Sequence, residues 1–190
     1  MDVILCKLKF ILFLLYFSFF IHIAMDTSQT KLNFLQWNTD FSKAATLLLE
    51  QFMEEYNTDA AFIQDIYCEK FGLDQLFMPP TFKGYNLLYF KGTQMPKVAL
   101  YVKSEIKTTF LPQASNTHCI TCIIHLEDSK QLVLSSVYSP PPDISPLLRI
   151  NSLFQNLSTC QGQSLLLCGD FNSHSSLWSN RGKTTKRGTT

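Results

Sequence analysis

Four residues late in the chain, Gly169-Asp170-Phe171-Asn172, follow directly on the apolar run Leu165-Leu166-Leu167-Cys168. A short continuous apolar run reads as a strand covered on both faces. A bare carboxylate and a carboxamide at the end of such a strand are costly to bury unless they are paired or hold a charge partner. Asp170 and Asn172 stand two apart, so on an extended backbone they point the same way. Side by side, a carboxylate and an amide can hold a metal ion, a water molecule or a phosphate. The pattern recurs upstream: residues 32–37 run into Asn38 and Asp40, residues 60–64 into Asp65, and residues 132–137 into Tyr138. Any one of these is a strand entering a polar turn. Four strands delivering acidic, amide or phenolic groups at their C-terminal ends would form one polar pocket if those ends lie together.

The elements that must position these groups follow from periodicity. Residues 32–38 and 60–67 read as strands one and two. Between them, residues 43–56 read as a helix: Ala45, Leu48, Leu49, Phe52 and Tyr56 recur at helical spacing, and Ser42 is a fitting N-cap. Pro79-Pro80 and Gly84 mark a loop. Residues 85–90 and 98–102 form a pair of strands, and residues 118–126 and 131–138 form a hairpin. Pro140-Pro141-Pro142 breaks the chain. Residues 145–157 read as a second helix with Leu148, Leu153 and Leu157 inside, and residues 165–171 as the last strand. This order is mixed, and periodicity alone gives α/β or α+β.

Composition supports one domain with a real core. Of the 190 residues, 46% are hydrophobic and 16% charged, which excludes a disordered tail, and the 16 Phe lean toward β-structure. The net charge is +1, but Arg181, Lys183, Lys186 and Arg187 put four basic residues and no acid in the last ten. Such a tail can meet phosphates or simply be solvated. Among the six cysteines no disulfide framework is evident. Cys119 and Cys122 have the spacing of a metal pair, but residues three apart on a strand face opposite sides, which argues against zinc. Cys168 reads as a small core residue.

Residues 1–24 read as a separate hydrophobic leader. Lys7 and Lys9 precede an uncharged run over residues 10–24, the form of a secretory signal. The run is short for a membrane span, although counting back to Val3 makes residues 3–24 an anchor that could meet a membrane. Met25-Asp26 offers an alternative start, in which case the leader is not part of the working protein. Asn156-Leu157-Ser158 matches a glycosylation acceptor but falls in the expected second helix.

Taken together, Trp37-Asn38-Thr39-Asp40, Ile63-Gln64-Asp65, Val137-Tyr138-Ser139-Pro140 and Gly169-Asp170-Phe171-Asn172 resemble the ordered motifs of the endonuclease/exonuclease/phosphatase (DNase I-like) superfamily. The resemblance is strongest to the endonuclease domains of non-LTR retrotransposons, through Leu35-Gln36-Trp37-Asn38, Ser42-Lys43-Ala44-Ala45, Ser173-His174, Leu177-Trp178 and Arg187-Gly188. It covers about residues 31–190.

The resemblance implies an α/β four-layer sandwich of two mixed β-sheets flanked by helices. It implies a metal-dependent phosphodiester hydrolase whose ancestral reaction is DNA nicking, with Mg²⁺ as cofactor and Mn²⁺ as its substitute. Asp65 would take the place of the family's metal-binding glutamate, with Asp40 and Asn38 completing the metal side. Asp170 would orient or deprotonate the attacking water, Asn172 would donate to the phosphate, and Tyr138 would hydrogen-bond a phosphate oxygen. His174, Trp178, Lys183 and Arg187 are candidate DNA contacts, with Trp178 better read as a core cap.

Two departures bear on activity. Asp65 is one methylene shorter than the family's glutamate. The family's late Ser-Asp-His has no counterpart before Thr190, and His118 and His125, in a core-like strand, are no evident substitutes. The expectation is a C-terminally incomplete domain over 25–190 that is weakly active or inactive. Two alternatives stand beside it: a secreted or membrane-anchored DNase I-like phosphodiesterase, and a non-catalytic nucleic-acid-binding fragment. The location follows the leader: nuclear without it, secretory or membrane-anchored with it.

Overall fold

The computed structural model describes residues 20–26, 31–126, 130–140 and 164–172. Five strands form the first sheet in the order β1-β2-β3-β7-β6: β1 is Phe20–Asp26, β2 Lys31–Asn38, β3 Ala60–Gln64, β6 Tyr85–Leu88 and β7 Val98–Lys103. Four form the second in the order β11-β10-β9-β8: β8 is Thr108–Phe110, β9 Cys119–His125, β10 Gln131–Tyr138 and β11 Ser164–Asp170. The short strands β4 (Glu69–Phe71) and β5 (Leu76–Met78) make a separate hairpin. Both large sheets are mixed: β2 runs parallel to β3 and β10 parallel to β11, while the other pairings are antiparallel. The α/β arrangement of two mixed sheets expected from the sequence is therefore present. Of its flanking helices, α1 is described, and the one expected over 145–157 lies outside the described residues.

The apolar alternation of the strands decides which residues meet. On β2, Leu32 and Phe34 face the second sheet and Leu35 and Trp37 face the helix. Phe34, Phe62, Leu100, Ile120, Ile124 and Leu134 fill the space between the sheets. Burying a side chain of this kind contributes about 1.5–3 kcal/mol. Toward the C-terminal ends of β2, β3 and β10 the same row turns polar: Gln36, Gln64 and Ser136 are buried there. Gln36 donates to Gln64 Oε1, and Gln64 Nε2 donates to Ser136 Oγ at 3.1 Å, so an amide chain crosses from one sheet to the other. Buried polar groups are tolerated when each finds a partner, and this chain forms the floor beneath the site.

Helix α1 (Lys43–Glu55) begins where expected, with Ser42 Oγ accepting the Ala45 N–H at 3.2 Å. Its buried stripe is Thr46, Leu49 and Met53, flanked by Ala45 and Phe52. Leu48, expected inside, is 48% exposed. The stripe centres on Leu49 and Met53 and takes in Thr46, which leaves Leu48 at its solvent edge beside Phe52, whose ring packs edge-on against Trp37 at 5.2 Å.

The two cysteines of β9 behave as strand geometry requires. Cys122 lies in the core between the sheets, while Cys119 packs with Val137 on the outer face. They cannot share a metal ion.

Strand β1 forms the edge of the first sheet next to β2. It pairs antiparallel with β2 along its whole length, from Phe20↔Trp37 to Asp26↔Lys31, so the boundary drawn after Ala24 runs through a strand. An uncharged apolar run has the same composition in a leader and in a strand, and length alone does not separate them. Residues 1–19 lie outside the described residues. Among the described residues no helix is long and apolar enough to cross a membrane.

Candidate functional site

Because β2, β3, β10 and β11 have parallel partners, their C-terminal ends come out on one side. The antiparallel neighbours β7 and β9 begin there, since Val98 pairs with Gln64 and Cys119 with Val137. Asn38, Asp65, Tyr138, Asp170 and Asn172, which span most of the chain, are brought together at this point.

Asn38 is the hub. Its Nδ2 donates to Asp170 Oδ2 at 2.9 Å and to Asp65 Oδ2 at 3.3 Å, joining one carboxylate from each sheet. Its Oδ1 accepts the Asp40 N–H at 2.9 Å. That second bond fixes which way the amide points. Asn38, expected on the metal side, faces the carboxylates with its NH₂ and the backbone with its oxygen. Asn38 thus bridges Asp65 and Asp170 as a hydrogen-bond donor.

Asp65 follows β3 in a left-handed conformation, φ 46°. Its backbone is fastened on three sides: N–H to the Lys97 carbonyl at 2.7 Å, and its own carbonyl to the Phe41 N–H at 2.6 Å and the Thr39 hydroxyl at 2.9 Å. The side chain is buried, and Oδ1 has no hydrogen-bond partner among the described residues. Burial pushes its pKa up to about 6. The hydrogen bond from Asn38 and the charge of Lys97 pull it down, while Asp170 and Asp40 push it up. A carboxylate kept out of water, with one oxygen unused and a second carboxylate nearby, has the donor chemistry that suits a hard divalent cation. The residues present fit such an ion.

Asp170 ends β11, and its Oδ1 accepts the Asn172 N–H at 2.9 Å. Asn172 has φ 46° and its Nδ2 donates to the Ser139 carbonyl at 3.1 Å. Asp170 and Asn172 therefore stand together through a tight turn rather than through strand alternation. Ser139 returns the tie by donating its N–H to the Asp170 carbonyl at 2.8 Å. One residue earlier, Gly169 presses against the Val137 backbone so closely that a Cβ would strike the Val137 carbonyl. The glycine before Asp170 is thus a packing requirement that lets β10 and β11 approach.

Tyr138 ends β10 beside these carboxylates. Its hydroxyl is held in the neutral form, first by burial and then by the charges of Asp65 and Asp170. A phenol kept protonated is a hydrogen-bond donor, as contact with a phosphate oxygen requires.

Asp40, expected on the metal side, is exposed at the rim with φ 48°. Among the described residues no three carboxylate, imidazole or thiol groups close on one point, and the charge of Asp40 acts on Asp65 from the rim. His174, Trp178, Lys183 and Arg187 lie outside the described residues.

Sequence reasoning missed two neighbours. Lys97 precedes β7 and is placed by backbone bonds to Asp65 and to Thr117. His118, read as a core-strand residue, stands before β9 with its ring stacked on Tyr138 at 6.2 Å, while His125 lies at the far end of β9, on Thr109. Lys97 is brought in by a backbone bond to Asp65 that joins residues distant in sequence and leaves no local signal, whereas His118 follows from the expected hairpin, in which the Tyr138 N–H donates to the His118 carbonyl at 2.9 Å.

The model of the endonuclease/exonuclease/phosphatase family matches residues 35–190, most of the chain, and every motif at this site. The chain belongs to that family. No curated protein matches it. Among solved structures it is similar to the endonuclease domain of TRAS1, a telomere-specific non-LTR retrotransposon, at TM-score 0.62 and 20% identity, over 82% of this chain and 67% of that one. It is similar to the AP endonuclease LMAP from Leishmania major at TM-score 0.55 and 16% identity, over 74% of this chain and 55% of that one. The human Nocturnin catalytic domain follows at TM-score 0.52 and 14% identity, over 84% and 69%. At these identities the likenesses show the fold, which is the DNase I-like fold of this endonuclease/exonuclease/phosphatase family. This chain spans about two thirds of the TRAS1 domain and little over half of the Leishmania enzyme.

Proposed function

We propose that this site hydrolyses phosphodiester bonds in DNA with the help of Mg²⁺, for which Mn²⁺ can substitute, in the manner of a retrotransposon-type nicking endonuclease. The observation that carries the reading is the pair Asp65–Asp170 joined through Asn38, with Asp65 Oδ1 buried and unpartnered. Asp65 would hold the ion, and Asp170 stands close enough to share it or its water. A bound divalent ion would supply charge to the phosphoryl oxygens.

The chain's own groups account for the rest. Asp170, held by Asn38 and by the Asn172 backbone, is positioned to accept a proton from the attacking water. Tyr138 and the Asn172 amide donate to the phosphate, fixing it in line. Asp65 reaches less far than the family's glutamate, and a misplacement of about 1 Å can cost about 10²-fold in rate. The enzyme is therefore slow.

The test is nicking of supercoiled plasmid by the full chain in Mg²⁺. The expected result is slow conversion to open circle, abolished by EDTA and by Asp170→Ala. Salt-sensitive DNA binding that survives Asp170→Ala, without any nicking, would favour a non-catalytic binding role instead.

A further inference from the structure

A phosphodiester is an anion, and the site that would receive it is lined by Asp65 and Asp170 with Asp40 at the rim. Such a field repels the substrate unless cations oppose it. The cation that the described residues offer inside this field is Lys97. Its backbone is pinned between the two sheets: its carbonyl accepts the Asp65 N–H at 2.7 Å, and its N–H donates to the Thr117 carbonyl at 2.8 Å. Lys43, the lysine at the start of α1, is already paired with Glu69 at 3.0 Å. Among the described residues Lys97 makes no ion pair and no side-chain hydrogen bond.

What Lys97 does touch is an aromatic face. Its Nζ lies 4.2 Å from the centroid of the Phe41 ring. Phe41 has φ 53° and follows Asp40 at φ 48°, two successive left-handed residues. That conformation is unusual for a side chain as bulky as Phe. The turn is held by the Phe41 N–H on the Asp65 carbonyl at 2.6 Å and the Ser42 N–H on the Thr39 carbonyl at 2.9 Å. A ring face steadies an ammonium without neutralising it, so the N–H groups remain available to an anionic oxygen.

We infer that Lys97, seated on Phe41, binds a backbone phosphate of the nucleic acid beside the scissile group. This deepens the proposed function and rests on it. The through-space pull of Lys97 on Asp65 is consistent with a charge placed over the site.

Binding of the full chain to a short fluorescent DNA duplex, with Ca²⁺ in place of Mg²⁺, is followed by anisotropy between about 50 and 200 mM salt. Lys97→Met is expected to lower the slope of log K against log salt by about 0.9, the loss of one phosphate contact. Lys97→Gln provides the same reading should the methionine variant fold poorly. Lys97→Arg keeps the slope. Lys31→Met, at the opposite end of β2, is the control for net charge and also keeps it. Phe41→Leu weakens binding at fixed salt by less than Lys97→Met. Wild-type binding whose slope is unchanged by both neutral variants at Lys97 overturns this inference and leaves the proposed function standing. Absence of salt-sensitive binding by the wild type overturns both.

Discussion

Asn38 and Asp170 are 132 positions apart in the chain and are joined across the two sheets by a 2.9 Å hydrogen bond. The same amide holds Asp65, so one side chain sets the separation of the two carboxylates on which the proposed chemistry rests.

Removing that amide should disturb both acids at once. Asn38→Ala takes from Asp65 a hydrogen bond that favours its charged form, so the Asp65 pKa rises above its present value of about 6. Carbon-13 carboxyl NMR checks this. Hydrogen bonds to charged groups contribute about 1.5–3 kcal/mol, and divalent-ion affinity should fall with the loss.

The raised Asp65 pKa has a definite consequence for stability. The folded state keeps its proton up to about pH 6, whereas the unfolded chain releases it near about pH 4. Between these values the native state binds more protons, so this residue's contribution to stability is full below about pH 4 and is lost as pH rises through 6. Denaturation in urea across that range, without divalent ions, should show the decline. Asp65→Asn should remove this component, and saturating Mg²⁺ should offset it.

The amide chain beneath the site makes a separate prediction. Gln64→Ala leaves the Gln36 amide and the Ser136 hydroxyl buried without their partner. Each unsatisfied group costs about 1–3 kcal/mol. The denaturation midpoint should fall accordingly, and Gln64→Ala with Ser136→Ala together should cost less than the sum of the two changes made separately.

Gly169→Ala should be among the most damaging small substitutions outside the core. Its Cβ would meet the Val137 carbonyl, forcing β10 and β11 apart where Tyr138 pairs with Asp170. Loss of more than about 3 kcal/mol is expected, read as a lower melting temperature.

Much of the site was legible because strands written in apolar residues stop at polar ones. Asp65, Tyr138, Asp170 and Asn172 could be found this way, and so could the opposite faces of Cys119 and Cys122. The three-residue strands β4, β5 and β8 are too short to show a period. The pairing of β1 was hidden because Phe20 to Ala24 has the composition of a leader as much as of a strand. Which way the Asn38 amide points depends on a local bond to the Asp40 N–H, and sequence type is silent on that. Lys97 arrives by a pairing between residues far apart in sequence, and the Gln64–Ser136 bond crosses between sheets, so neither leaves a mark in a sequence window; His118 was within reach, because the expected hairpin sets it against Tyr138.

The activity of Asp65 itself is open to a gain-of-function test. Asp65→Glu restores the reach of the family's glutamate and should raise Mg²⁺-dependent nicking, by up to about 10²-fold. A fall in rate would show that the shorter carboxylate is matched to its left-handed turn.

Whether Asp65 and Asp170 hold a divalent ion is decided by the binding of Mn²⁺, as a spectroscopic substitute for Mg²⁺, to the full chain by electron paramagnetic resonance. The expected result is a binding site from which Mg²⁺ displaces Mn²⁺ and which weakens sharply in both Asp65→Asn and Asp170→Asn. Binding that is absent from the wild type, or unchanged in both variants, would contradict it.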